Sequence, residues 1–235
     1  MPIRAVLCDL GDTLFRLDPI SSELPARIVA ACCRAIGDAG EPVARGLFEA
    51  VRAELAAGYL AGQTVENQVP ALVERHLPAG APRALAERIA ALYWQADIER
   101  FRHPAENVDA IRALRDAGLT LVAVSNTTTP PERLSAYLAS VGLLGLFAGT
   151  VFSVDLGLRK PHPAIYERAL ALAGCEPAEA LFVGDRVRED IIGPQSLGIP
   201  AVLTHQFRQE TPTAATPLAV VTHLDQLPSI LAQFP

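Results

Sequence analysis

With 235 residues, half of them hydrophobic and a fifth charged, the chain can bury enough apolar surface to offset the entropy of ordering, which excludes a disordered protein. A formal net charge of −6 without clusters of lysine and arginine excludes a nucleic-acid footprint and leaves small-molecule chemistry as the better prior. No stretch reaches the roughly 18 uncharged apolar residues of a membrane helix, no signal-peptide pattern opens the chain, and Cys8, Cys32, Cys33 and Cys175 lack CxxC or zinc spacing; a cytoplasmic protein with free thiols and no membrane partner is expected.

The first predicted element is the run IRAVLCDL (3–10), a buried strand that leads directly into CDLGDTL at 8–14. From 17 to 100 the pattern is helical throughout, with predicted helices at 22–37, 43–60, 65–76 and 82–99 and turn signals at Gly37 to Pro42, Gly62 and 78–82. Hinges are expected near 14–18 and 98–104. A helix over 104–117, opened by Pro104 and closed by Gly118, then begins an alternation of strands (119–126, 150–154, 180–185, 200–204, 218–222) with helices (132–141, 162–173, 187–197). Strand, helix, strand repeated in this way predicts an α/β protein, a Rossmann-like doubly wound parallel sheet with helices on both faces. The expected domains are a sheet core of 1–16 and 101–235 and an inserted all-helical domain of 17–100. The segment TPTAATP (211–217) reads as a surface loop.

Open parallel sheets bind ligands beyond the carboxyl ends of their strands, so the polar residues there are the ones that carry chemistry. Those ends present Asp9 to Thr13, Ser125 with Asn126, and Gly184-Asp185 followed by Asp190; Lys160, in KPHPAIY, stands near the start of a helix. Three carboxylates, one ammonium and one hydroxyl, converging from distant parts of the chain, suit a divalent cation together with a phosphate. Taken singly, Asp9 also reads as a turn or helix cap and Lys160 as a surface lysine.

Four of these segments, in order, resemble the motifs of the haloacid dehalogenase-like hydrolase superfamily: DLGDT at 9–13, LVAVSN at 121–126, RKPHP at 159–163 and VGDRVRED at 183–190. The helical insertion is similar to that family's mobile cap. The resemblance implies that Asp9 is a nucleophile that forms an aspartyl-phosphate. It further implies that Ser125, Asn126 and Lys160 bind the transferring group, and that Mg²⁺ is held by Asp9, the backbone carbonyl of Gly11 and Asp185, with Asp190 acting indirectly.

The first motif departs from the phosphatase form of the family. Two residues after the nucleophile those enzymes carry an aspartate as general acid and base, and here Gly11 takes that place, a loss worth on the order of 10²- to 10⁴-fold in rate. Asp12 is one position too late, and a one-residue shift in an extended chain turns a side chain to the opposite face; a structural role, hydrogen-bonding loop amides, is expected for it. Arg16 and Arg186 are candidates for substrate contact by proximity alone, and His162 stands where family members often carry an acid.

Three functions fit these residues. The first is a Mg²⁺-dependent hydrolase of a small phosphorylated metabolite; the second is a metal-independent 2-haloacid dehalogenase, against which Gly11 and the Gly184-Asp185 pair both count. The third is a catalytically silent protein of the same fold that binds phosphate or a partner. A monomer or a homodimer is expected, the latter through apolar helix positions such as Tyr93 and Trp94.

Overall fold

Runs of apolar residues favour burial, and in the computed structural model, which describes residues 2–60 and 69–233, these runs are mostly buried, with Val220 exposed. They form one parallel sheet of six strands: β1 (Ala5–Cys8), β4 (Thr120–Ser125), β5 (Gly149–Phe152), β6 (Ala180–Gly184), β7 (Ala201–Thr204) and β8 (Ala219–Val221). Their spatial order is β5-β4-β1-β6-β7-β8, so β1 lies centrally and the chain steps outward on one side of it before crossing to the other. In open parallel sheets such a reversal marks the carboxyl ends of the strands flanking it, here beside β1, as the place where ligands bind. Successive side chains point to opposite faces: Ala5, Leu7, Val122, Val124, Ala180, Phe182, Ala201 and Leu203 form one core with Ile165, Tyr166 and Ala169.

The helices of this sheet unit are α5 (Ala105–Asp116), α6 (Pro131–Ser140), α7 (Ser153–Leu156), α8 (Pro163–Ala173), α9 (Gly193–Gln195) and α10 (Leu227–Leu231). Two sequence expectations are corrected. The strand expected over 150–154 stops at Phe152 and turns at Ser153 into α7. The helix expected over 187–197 is a wide π-helical turn, Val187–Ile192, running into α9, where Pro194 has no N–H to continue an α ladder. A two-residue antiparallel pair, β2 (Arg16–Leu17) with β3 (Phe101–Arg102), occupies the expected hinges, and Phe15 stacks on Phe101 with ring centroids 5.5 Å apart.

The chain divides into two compact units, one of Met1–Leu17, Phe101–Asn126 and Pro131–Pro235, the other of Asp18–Arg100 together with Thr127–Pro130. The second unit contains α1 (Leu24–Ile36), α2 (Gly40–Leu60), α3 (Val69–Arg75) and α4 (Arg83–Glu99). Their apolar stripes meet in a separate core built on Leu24, Ile28, Leu47, Val51, Val73 and Ile89. The start of the helix expected over 65–76 and the turn at Gly62 lie outside the described residues. The return of Thr127–Pro130 to the helical unit has no counterpart in the sequence pattern. Among the described residues, no helix is long and apolar enough to cross a membrane.

Candidate active site

Asp9 is the first residue beyond β1, and its N–H donates to the carbonyl of Val183 at 3.0 Å, which ties it to the neighbouring end of β6. The chain then bends sharply, not at Gly11 but at Asp12, whose φ of 55° is the left-handed conformation that aspartate tolerates better than most residues. The bend is closed by backbone bonds from Leu14 and Phe15 N–H to the Leu10 carbonyl, at 2.9 and 2.8 Å, and from Asp12 N–H to the Phe15 carbonyl at 2.6 Å. Asn107, buried in α5, donates to the Leu14 carbonyl at 3.0 Å and holds the far side of the loop.

Parallel strands put all their carboxyl ends on one sheet edge, and there the side chains of Asp9, Asp185 and Asp190 converge. Each offers one carboxylate oxygen within 4.8 Å of the others, and all three residues are buried. Lys160 Nζ lies among them, 2.6 Å from Asp9 Oδ1 and 2.7 Å from Asp190 Oδ1, with its side chain only 2% exposed. The Asp190 carboxylate also accepts the Arg186 N–H at 3.0 Å, and Thr13 Oγ donates to Asp185 Oδ1 at 3.3 Å. Burying ions costs several kcal/mol each, and a buried pair is no reliable source of stability, so a cluster of this kind points to chemistry before architecture.

Burial dominates the protonation of the cluster. It raises the Asp9 carboxyl to about 6, partly countered by Lys160, with Asp190 raising it further. Asp185 is pushed up to about 8, first by burial and then by the charges of Asp9 and Asp190. Burial works against the Lys160 ammonium, but Asp190 and Asp9 outweigh it and raise its pKa, so the lysine stays charged. Buried carboxylates this short of positive charge, offering hard oxygen donors, fit a divalent cation such as Mg²⁺.

Local structure fixes each of these groups. Asn126 clamps the Lys160 backbone in both directions, its Oδ1 accepting the Lys160 N–H at 2.8 Å and its Nδ2 donating to the Lys160 carbonyl at 3.0 Å. Ser125 ends β4, which lies directly beside β1, and is 7% exposed at the same sheet edge. Gly184 admits Asp190 at close range: a Cβ at position 184 would stand 2.3 Å from the Asp190 Cγ. The remaining sequence candidates lie differently. His162 is exposed and caps α8, accepting the Ala164 N–H at 3.3 Å, while Arg16 is exposed on β2 opposite Arg102.

Between Asp9 and Asp12, Gly11 has no side chain, and a Cβ there would approach the Leu17 Cδ1 to 3.0 Å. The Asp12 carboxylate is engaged on both oxygens, accepting the Leu17 N–H at 3.0 Å and a hydrogen bond from Arg208 Nη2 at 2.8 Å. Arg208 is the residue that sequence reasoning missed. It follows β7, and its Nε donates to Asp185 Oδ2 at 2.6 Å. It lies a few residues past the end of β7 at Thr204, in an irregular loop that the strand-end rule does not single out.

A family model described as haloacid dehalogenase-like hydrolase matches residues 3–198. The chain is 32% identical over 234 residues to the human haloacid dehalogenase-like hydrolase domain-containing protein 3, covering 93% of this chain and 86% of that protein. It is 31% identical over 236 residues to a phosphoglycolate phosphatase of Pseudomonas putida, covering 95% of this chain and 78% of the relative. Among solved structures it is similar to a 2-haloacid dehalogenase from Pseudomonas syringae pv. Tomato DC3000, with a TM-score of 0.70 at 22% identity over 99% of this chain and 100% of the other. At that identity the likeness is one of fold.

Proposed function

The chain belongs to the haloacid dehalogenase-like hydrolases, and within them we propose that it is a Mg²⁺-dependent phosphatase of a small phosphorylated metabolite, working through an aspartyl-phosphate on Asp9. The observation that carries this reading is the buried meeting of Asp9, Asp185 and Asp190 around Lys160. A dehalogenase needs one carboxylate nucleophile and no metal; two further buried carboxylates beside it favour a site for a cation and a phosphoryl group. The phosphatases among the relatives point the same way.

In this mechanism Asp9 Oδ attacks phosphorus, the bond to the leaving oxygen breaks, and water later cleaves the acyl phosphate. Lys160, already bonded to Asp9, offsets the repulsion between the carboxylate and the incoming phosphate. Ser125 Oγ and the Asn126 N–H bind phosphoryl oxygens, and the Asn126 side chain keeps Lys160 in place. Asp9, Asp185 and the Gly11 carbonyl would hold the ion, with Asp190 orienting the set. A bound Mg²⁺ supplies Lewis-acid stabilisation of charge on the transferring group.

No carboxylic acid follows Asp9 at the second position, so the leaving oxygen departs without a built-in proton donor. Substrates with good leaving groups, such as acyl or aryl phosphates, therefore suit this site best. Phosphate release from a panel of phosphomonoesters, with and without Mg²⁺, and halide release from 2-haloacids in parallel, test the reading. Metal-dependent phosphate release that Asp9→Asn abolishes is expected. Halide release indifferent to chelator would instead establish a dehalogenase, and silence in both assays a binding protein.

A further inference from the structure

We propose that Arg208 and Asp12 form a charge-neutral clamp that positions Asp185 for a divalent cation; the inference rests on the metal reading above. The guanidinium spans two carboxylates with two of its donors, Nε to Asp185 Oδ2 at 2.6 Å and Nη2 to Asp12 Oδ2 at 2.8 Å. A planar fork reaches two acceptors in fixed directions, which a lysine ammonium on a flexible stem does not. The carboxylates it joins are well buried, with side chains 2% exposed for Asp185 and 13% for Asp12.

The loop that delivers Arg208 is itself tied down. Glu210 accepts the Val187 N–H at 3.1 Å, and the Gln206 side chain donates to Asn107 at 3.0 Å, so the loop is anchored to the π-helical turn and to α5. Arg208 therefore comes from a fixed support and restrains Asp185 on the oxygen opposite the one that Thr13 contacts. Asp185 is left with one orientation.

The charge count explains why Asp12 belongs to the same device. With all three carboxylates ionised, as a bound cation would require, Asp9, Asp185 and Asp190 against Lys160 leave two negative charges, the complement of a divalent ion. Arg208 alone would cancel half of that. Asp12, held on the other side of the guanidinium, returns the balance, so Asp185 is oriented without weakening the field that attracts the ion. The left-handed backbone at Asp12 also suits asparagine, and Asp12→Asn removes the charge while keeping the backbone shape and an acceptor for the Leu17 N–H.

Titration calorimetry with Mg²⁺ alone, in the absence of any substrate, tests the clamp on the full chain. Asp12→Asn should weaken Mg²⁺ binding about tenfold, in the range seen when outer partners of metal ligands are removed. Adding Arg208→Gln to that variant restores the charge count and should recover at least about threefold of the loss, a rescue that the deletion of a merely structural contact does not produce. Arg208→Lys, which keeps the charge and loses the fork, should also bind more weakly than wild type, and covers the case in which the double variant fails to fold. Wild-type affinity in Asp12→Asn or in Arg208→Lys, or a folded double variant that binds no better than Asp12→Asn, overturns the clamp and leaves the metal reading intact. A wild-type chain that takes up no Mg²⁺ overturns both.

Discussion

Under the proposed mechanism Gly11 is the residue that most limits the chemistry, and that limit is chemical before it is steric. Its backbone does not require glycine by conformation, and the Leu17 methyl that a new Cβ would approach is the far end of a flexible side chain. Gly11→Asp should therefore fold and supply the missing proton donor, raising turnover of alkyl phosphates by about 10²-fold while aryl phosphates gain far less. Comparing kcat on one substrate of each kind checks it, and an unchanged ratio would show that protonation of the leaving oxygen is not the bottleneck. Asp9 and Asp185 were legible in the sequence because each sits next to an apolar strand, Lys160 because it precedes a proline-marked helix start, and Asp190 by its spacing from Asp185 in VGDRVRED. Arg208 was not, because it is one arginine in an irregular loop, and its partners are 23 and 196 residues away in the chain. Nothing local records such a meeting.

Strands buried on both faces leave an unambiguous apolar signature, which is why the sheet was readable almost to the residue, whereas the turn after β6 was not. Val187–Ile192 carries the apolar spacing of an ordinary helix but widens into a π-helical turn, which places Asp190 against Gly184 and Lys160. The close approach of this turn to β6 depends on the absence of a side chain. Gly184→Ala would drive a Cβ into the Asp190 carboxyl, and because position 184 lies in a paired strand, Asp190 must yield. The expected outcome is a loss of about 1–3 kcal/mol in urea unfolding, as for other overpacked cores, together with a large fall in kcat as Lys160 loses one of its two carboxylate partners. Retention of both would mean that Asp190 can be displaced without consequence. The pair β2 and β3 escaped notice because two residues per strand are too few for any periodicity to register.

For the molecule as a whole, the acidic cluster makes stability depend on pH, and under the proposed reading on metal as well. Asp9 and Asp185 titrate at about 3.9 in an unfolded chain, whereas in the folded protein they are raised to about 6 and about 8. A carboxyl raised on folding keeps its proton more tightly in the native state, so its contribution is complete below about pH 4 and is lost as pH climbs through those two values. In EDTA, Tm should fall between about pH 5 and pH 9 by more in the wild type than in Asp185→Asn, and Mg²⁺ should restore part of the difference at high pH. Equal slopes in the two proteins would show that Asp185 takes no part. The division into units was only partly legible: the boundaries beside Leu17 and Phe101 follow from the change of periodicity, but Thr127–Pro130 joins the helices through contacts that no pattern announces. Thr129, fully buried and only a short loop beyond the end of β4 at Ser125, donates to Asp97 of α4 at 2.9 Å. The helical unit is thus not a cassette spliced in at one place. Excising 18–100 and sealing the gap would leave Thr129 without its acceptor a few residues from Asn126, so a clean excision would have to take 127–130 into account as well.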